Sequence, residues 1–175
     1  MESCSEGDYL LANIDTSGLK VDQRTQIRNE HIGYVFQSFN LIDSLTVFEN
    51  VVLPLEHRGT SKDEIKQRVE EVLTQVDMIH RQNYRPNQLS GGQQQRIAIA
   101  RALVGRPDLI LVDEPTGNLD SKNGDQVMAL LTQLNMAGST IVMVTHDSRY
   151  SRCANREIQL LDGQIVIEQQ LKVVA

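Results

Sequence analysis

The sequence predicts an α/β fold built on a parallel sheet, with a helical insertion. Two four-residue apolar runs, Leu109-Ile110-Leu111-Val112 and Ile141-Val142-Met143-Val144, read as strands buried on both faces, the pattern of a parallel sheet. A helical stripe between them, Val127, Leu130, Leu131 and Leu134, makes the connection a crossover. Each strand ends in polar residues, Asp113-Glu114 and Thr145-His146-Asp147, at the edge where such sheets bind ligands.

Elements follow in chain order. Asp8-Tyr9-Leu10-Leu11 is strand-like almost at the start, and Ile32-Gly33-Tyr34-Val35-Phe36 is a short β-rich run ending in Gln37-Ser38. From Leu41 to Tyr84 there is no strand signal, so residues 41–84 read as a helical subdomain. Within it Ile65, Val69, Val72, Leu73 and Val76 recur at helical spacing, and Ser61 with Glu64 forms a capping box at the helix start. Arg85-Pro86-Asn87-Gln88 breaks this block. A second helix runs from Gly91 or Gly92 to Leu103 and stops at Gly105-Arg106-Pro107. A third spans Ser121 to Met136, before Gly138. Glu157–Leu161 and Gln164–Ile167 flank Asp162-Gly163, the turn of a hairpin. The elements divide the chain into residues 1–40, a helical subdomain 41–84, and residues 85–175.

Composition narrows the function classes. The 175 residues are 40% hydrophobic and 23% charged, enough apolar material for a core and too much for disorder. A net charge of −6 argues against general nucleic-acid binding. No apolar run is long enough to span a bilayer, and the acidic N-terminus lacks the basic and apolar regions of a signal peptide. Cys4 and Cys153 are too far apart to suggest a disulfide framework or metal-ligand spacing. A cytosolic protein is expected.

Two segments carry chemistry. An apolar strand ending in Asp113-Glu114 suits phosphate chemistry: the Asp can hold Mg²⁺, which prefers oxygen ligands and keeps several waters, and the Glu can orient or deprotonate water. Alone, the same ending is more often an acidic turn after a buried strand. Leu89-Ser90-Gly91-Gly92-Gln93-Gln94-Gln95-Arg96 is more specific. Its glycines allow close backbone approach, Ser90 can cap the helix, and the free N–H groups there attract anions.

With this string the chain resembles the nucleotide-binding subunit of ABC transporters. Leu89–Gln93 matches the signature motif, and Leu109–Glu114 the Walker B strand with its glutamate. Gly117-Asn118-Leu119-Asp120 matches the D-loop, Gln37 the Q-loop, and His146 the switch histidine, all in family order between about residue 7 and residue 168. Arg28–Ile42, Leu45–Val51 and Glu114–Ser121 are similar to the branch holding the macrolide and lipoprotein exporters and the cell-division ATPase. The resemblance implies a P-loop NTPase-like ATPase fold, with residues 1–40 a remnant of the core's N-terminal part, and the cofactors ATP and Mg²⁺. It also implies a catalytic set of Glu114 as general base, His146 on the γ-phosphate and Gln37, with Asp113 and Gln37 as metal ligands. Ser90, Gly91, Gly92 and Gln93 would bind nucleotide held by a second subunit, with Asp120 at that seam. Implied partners are a membrane permease and a second ATPase copy, as homodimer or heterodimer. The implied location is the cytoplasmic face of the membrane, reached through the permease. Leu41, Ile42, Leu45, Val47 and Phe48 line a permease groove on this reading, or form the subdomain's own core on a plainer one.

One departure is large. None of the five lysines (Lys20, Lys62, Lys66, Lys122, Lys172) sits in Gly-x-x-x-x-Gly-Lys-Ser/Thr, so the 175 residues hold no Walker A motif, and the adenine-stacking aromatic is missing too. The expectation is an N-terminally truncated cassette, with weak Mg-ATP binding, impaired hydrolysis and sheet edges left open. The alternative is a non-catalytic or regulatory fragment that pairs with a complete ATPase or a permease. A DNA-repair ATPase is disfavoured because the sequence has neither coiled-coil heptads nor a basic patch.

Overall fold

A computed structural model describes residues 6–56 and 58–171. Cys4, most of the acidic N-terminal stretch and Lys172 lie outside the described residues. The chain opens with a short antiparallel pair, β1 (Leu10–Leu11) and β2 (Ile14–Asp15), turned through Ala12 and Asn13, both at positive φ. Helix α1 (Val21–His31) follows, where the apolar pattern predicts no helix. Its composition explains this: VDQRTQIRNEH has no apolar stripe and buries no residue. It is fastened instead by polar links, His31 Nδ1 to Asp108 Oδ2 at 2.6 Å and the Asn29 carbonyl accepting from Arg58.

The central sheet has three parallel strands in the order β3 (Ile32–Val35), β4 (Leu109–Asp113), β5 (Thr140–Val144). Val35 pairs with Val112, and Asp113 with Val144, so all three C-terminal ends lie along one edge. Between β3 and β4 the chain makes α2 (Val47–Val52), α3 (Lys62–Gln75) and α4 (Gly91–Leu103). Ser61 caps α3 as the sequence predicts, its Oγ accepting from the Glu64 N–H. The return bond of the predicted capping box is not made, since Glu64 Oε1 accepts from Arg68 instead; a full capping box, Thr46 with Glu49, starts α2. Helix α5 (Ser121–Met136) crosses from β4 to β5 with Val127, Leu130, Leu131 and Leu134 buried. A short α6 (Ser148–Ser151) leads to the hairpin β6 (Arg156–Leu161) and β7 (Gln164–Gln170), turned at Asp162-Gly163.

One core joins sheet and helices: Val35, Ile110 and Val112 pack with Ile97 and Ile99 of α4, Leu131 and Leu134 of α5, and Val69 and Leu73 of α3. The approach of α4 to β3 is close enough that a Cβ at Gly33 would strike the Ala102 backbone, which explains the glycine inside a strand. Burial of the sheet on both faces is corrected. Ile110 and Val112 are 1% and 2% exposed and Ile141 and Met143 pack on the same core, but Val142 and Val144 on the opposite side are 50% and 61% exposed. The helices cover one face, and the other carries no layer among the described residues. The apolar residues 41–48 also divide: Val47 is fully buried and Leu41 and Phe48 pack on the core, while Ile42 is exposed and Leu45 half-buried. Three of the five thus pack with the common core, and Ile42 and Leu45 do not.

Candidate active site

Parallel register brings the acidic and basic candidates together. Asp113 is the last residue of β4, and the Glu114 N–H donates to the Val144 carbonyl at 3.0 Å, so Glu114 and His146 leave neighbouring strands side by side. Glu114 has left-handed backbone (φ 45°), a conformation a residue with a Cβ adopts only when its surroundings fix it. Its carboxylate is largely shielded. Oε1 accepts the His146 backbone N–H at 2.9 Å and pairs with His146 Nδ1 at 2.6 Å, and Oε2 accepts the Thr145 hydroxyl at 3.4 Å. His146 points outward with its side chain 83% exposed, so its second ring nitrogen is open to solvent. The Glu114 hydrogen bond, then its charge, and more weakly Asp147, raise the imidazole above its ordinary 6.5, against a small opposing effect of burial. Glu114, Thr116, Gly117, Leu119, His146 and Tyr150 line a cleft of about 210 Å³ here.

Asp113 is exposed, and its carboxylate makes no hydrogen bond or ion pair among the described residues. An exposed strand-end carboxylate without a protein partner suits a hard cation that keeps most of its waters. Gln37 lies two residues beyond β3 on the same edge. Its carbonyl accepts from Asn118 Nδ2 at 3.0 Å, and its side chain lies so close to Gly117 that a Cβ there would collide with it. Gln37 and the loop after Glu114 are thus locked together within one chain.

The Gly-rich string forms a separate place. Ser90 caps α4, its Oγ accepting from the Gln93 N–H at 3.4 Å while Gln93 Oε1 accepts the Ser90 N–H at 3.0 Å. Ser90, Gly92 and Gln93 open with His80 and Arg96 onto a second cleft of about 230 Å³ that shares no lining residue with the first. Asp120 caps α5, its Oδ1 accepting from the Asn123 N–H at 2.9 Å and Oδ2 from Asn123 Nδ2 at 2.6 Å; these bonds lower its carboxyl from the ordinary 3.8. Two contributors escape sequence reading, Thr145 on Glu114 and Asn118 on Gln37. Only their place inside the motif strings marks them.

A family model described as "ABC transporter" matches residues 1–117. The chain belongs to the ABC transporter ATP-binding family. It is 49% identical to an uncharacterised ABC transporter ATP-binding protein of Methanocaldococcus jannaschii, across 98% of this chain and 75% of that one. It is 41% identical to the macrolide export ATP-binding/permease protein MacB of Rhodopseudomonas palustris, across 98% of this chain but 26% of the other. A solved dimer of the Methanocaldococcus ATP-binding cassette, in a post-hydrolysis state with ADP and Pi, superposes with a TM-score of 0.83 at 46% identity, over 98% of this chain and 76% of that one. The α/β architecture is therefore that of ABC ATPase cassettes, and ATP hydrolysis is the reaction its family resemblance supports.

Proposed function

We propose that this chain carries the hydrolytic and signature parts of an ABC ATPase that works with ATP and Mg²⁺ and drives a permease of the macrolide- or lipoprotein-exporter type from the cytoplasmic face of a membrane. The observation that carries this reading is the Glu114–His146 pair, 2.6 Å apart at the ends of adjacent parallel strands and beside an unpartnered Asp113. In the proposed roles, Asp113 and Gln37 hold the metal, which when bound neutralises phosphate charge. Glu114 takes the proton of the attacking water. His146, charged over a wider pH range because Glu114 faces it, offers its exposed nitrogen to the terminal phosphate. Ser90, Gly92 and Gln93 face a second cleft, which suits nucleotide held by another subunit; Gly91 belongs to the same string and Asp120 stands beside that seam. The dimeric state of the archaeal relative and the permease portion in the name of MacB support both partnerships.

The 175 residues contain no glycine-rich lysine loop to cradle a triphosphate. Alone they should bind Mg-ATP weakly and hydrolyse it no faster than buffer. Fusing the N-terminal quarter of the archaeal relative ahead of residue 7 should restore hydrolysis, and Glu114→Gln should then lower it by roughly 10²- to 10⁴-fold. A folded fusion that is inactive, or one indifferent to Glu114→Gln, would defeat the proposal. The intact Ser90–Gln93 cleft favours a second reading, a half-site donated to a complete partner ATPase. ATP-dependent association on mixing the two proteins, without hydrolysis by this chain, would select it.

A further inference from the structure

Helix α4 carries two polar side chains on either side of its buried run Ile97-Ala98-Ile99-Ala100, one of them buried and the other half-buried. Gln95 is fully buried; its Nε2 donates to the Pro115 carbonyl at 3.0 Å, and its Oε1 has no partner among the described residues. Arg101, one and a half turns further on, is half-buried and forms no ion pair among the described residues. Its guanidinium instead donates to two consecutive carbonyls, Phe39 at 2.8 Å and Asn40. A buried polar group so placed costs free energy unless its bonds serve something.

Both gripped segments contain left-handed residues that are not glycine. Phe39 and Asn40 have φ of 58° and 49°, and Glu114, bonded through the peptide to Pro115, has 45°. Such backbone persists only where neighbours over-determine it. The two segments are the ones that carry Gln37 and Glu114, and Asn118 already ties one to the other. The Phe39 ring also reaches the start of α4, where a Cβ on Gly91 would sit 3.6 Å from it.

We propose that Gln95 and Arg101 are positioning residues: through the carbonyls of Pro115, Phe39 and Asn40 they hold Glu114 and Gln37 in register with the signature end of α4. A single rigid helix then presents Ser90–Gln93 at its N-terminus to one nucleotide and fixes the hydrolytic loops for another, over about 15 Å. The consequence for catalysis rests on the roles proposed above for Glu114 and Gln37, whereas the grip itself does not.

The test needs no nucleotide, so its failure is distinct from a failure of the ATPase reading. Amide hydrogen exchange and thermal melting are measured on the 175-residue chain and on Gln95→Met, Arg101→Met and Arg101→Lys. Gln95→Met removes one bond and one orphaned acceptor together, so the melting temperature should hold. The amides of Gly117 and Leu119, bonded to Glu114 and Thr116, should exchange roughly two- to tenfold faster. The titration midpoint of His146, which Gln95 does not touch, should fall toward an ordinary value as Glu114 loosens. Arg101→Met should accelerate Phe39 and Asn40 alone, and Arg101→Lys, a single donor point in place of a fork, should fall between it and the parent. Unchanged exchange in these loops, an unmoved His146 midpoint in Gln95→Met, or acceleration spread evenly along the chain with a lower melting temperature would each overturn the proposal.

Discussion

The geometry around the His146 imidazole displaces its titration upward. Glu114 accepts from its backbone and faces its ring, so the protonated form is favoured in the folded chain. A histidine raised above its unfolded value of 6.5 contributes stability that is fully present below 6.5 and is lost as pH climbs through the raised value. Two outcomes follow. In an NMR titration the His146 midpoint should lie above 6.5 and drop on Glu114→Gln. The stability gap between the parent and Glu114→Gln should narrow as pH rises through the parent's midpoint; a gap that widens instead would contradict the pairing. Much of this site was legible in the sequence, because the motif strings name Asp113, Glu114, His146, Gln37 and Ser90–Gln93. The left-handed Glu114 and the grip of Thr145 were not, since nothing in a strand-end Asp-Glu-Pro announces backbone sign or a partner 31 residues away.

At the level of elements, legibility followed the apolar pattern. Helices α3, α4 and α5 bury a stripe and were visible; α1 buries nothing and was not. Gln95 and Arg101 left a trace that could have been used: they flank Ile97-Ala98-Ile99-Ala100, four consecutive residues buried all round the helix, so polar side chains beside that run lie close to the core. The same logic singles out Asn50, fully buried in α2. Its Oδ1 accepts the Ile42 N–H at 2.8 Å, and its Nδ2 donates to the carbonyls of Ile42 at 3.1 Å and Thr46 at 2.9 Å. It thus closes the segment that Arg101 grips at its other end. Asn50→Ala strands these groups and should cost about 2–4 kcal/mol, read as a lower urea midpoint at unchanged slope. A loss near zero would show that water replaces the amide there.

For the whole molecule, the decisive feature is the uncovered side of the sheet. Strand β5 was expected to be buried on both faces because its sequence is continuously apolar, and that sequence is suited to a layer the described residues do not supply. It also pairs only with β4 among the described residues, leaving its other edge open. The hairpin is exposed as well, with Leu160 at 67% and Ile165 at 60%. Apolar surface of this kind together with an open, uncharged strand edge drives chains onto one another. The 175-residue chain should therefore self-associate with rising concentration in sedimentation velocity, more so at high salt, since the net charge of −6 that opposes contact is then screened. Val142→Lys and Leu160→Lys place charge on that surface without touching the core. Each should weaken association about tenfold, the value of one medium apolar side chain kept in water, while the far-UV circular dichroism stays as in the parent. Covering that face should act in the same direction. The fusion that adds the N-terminal quarter of the archaeal relative should run as a smaller species than the parent at equal concentration and lose its response to Val142→Lys. If both chains sediment as the same monomer at every concentration, the exposed face is tolerated in water and the open sheet is no liability.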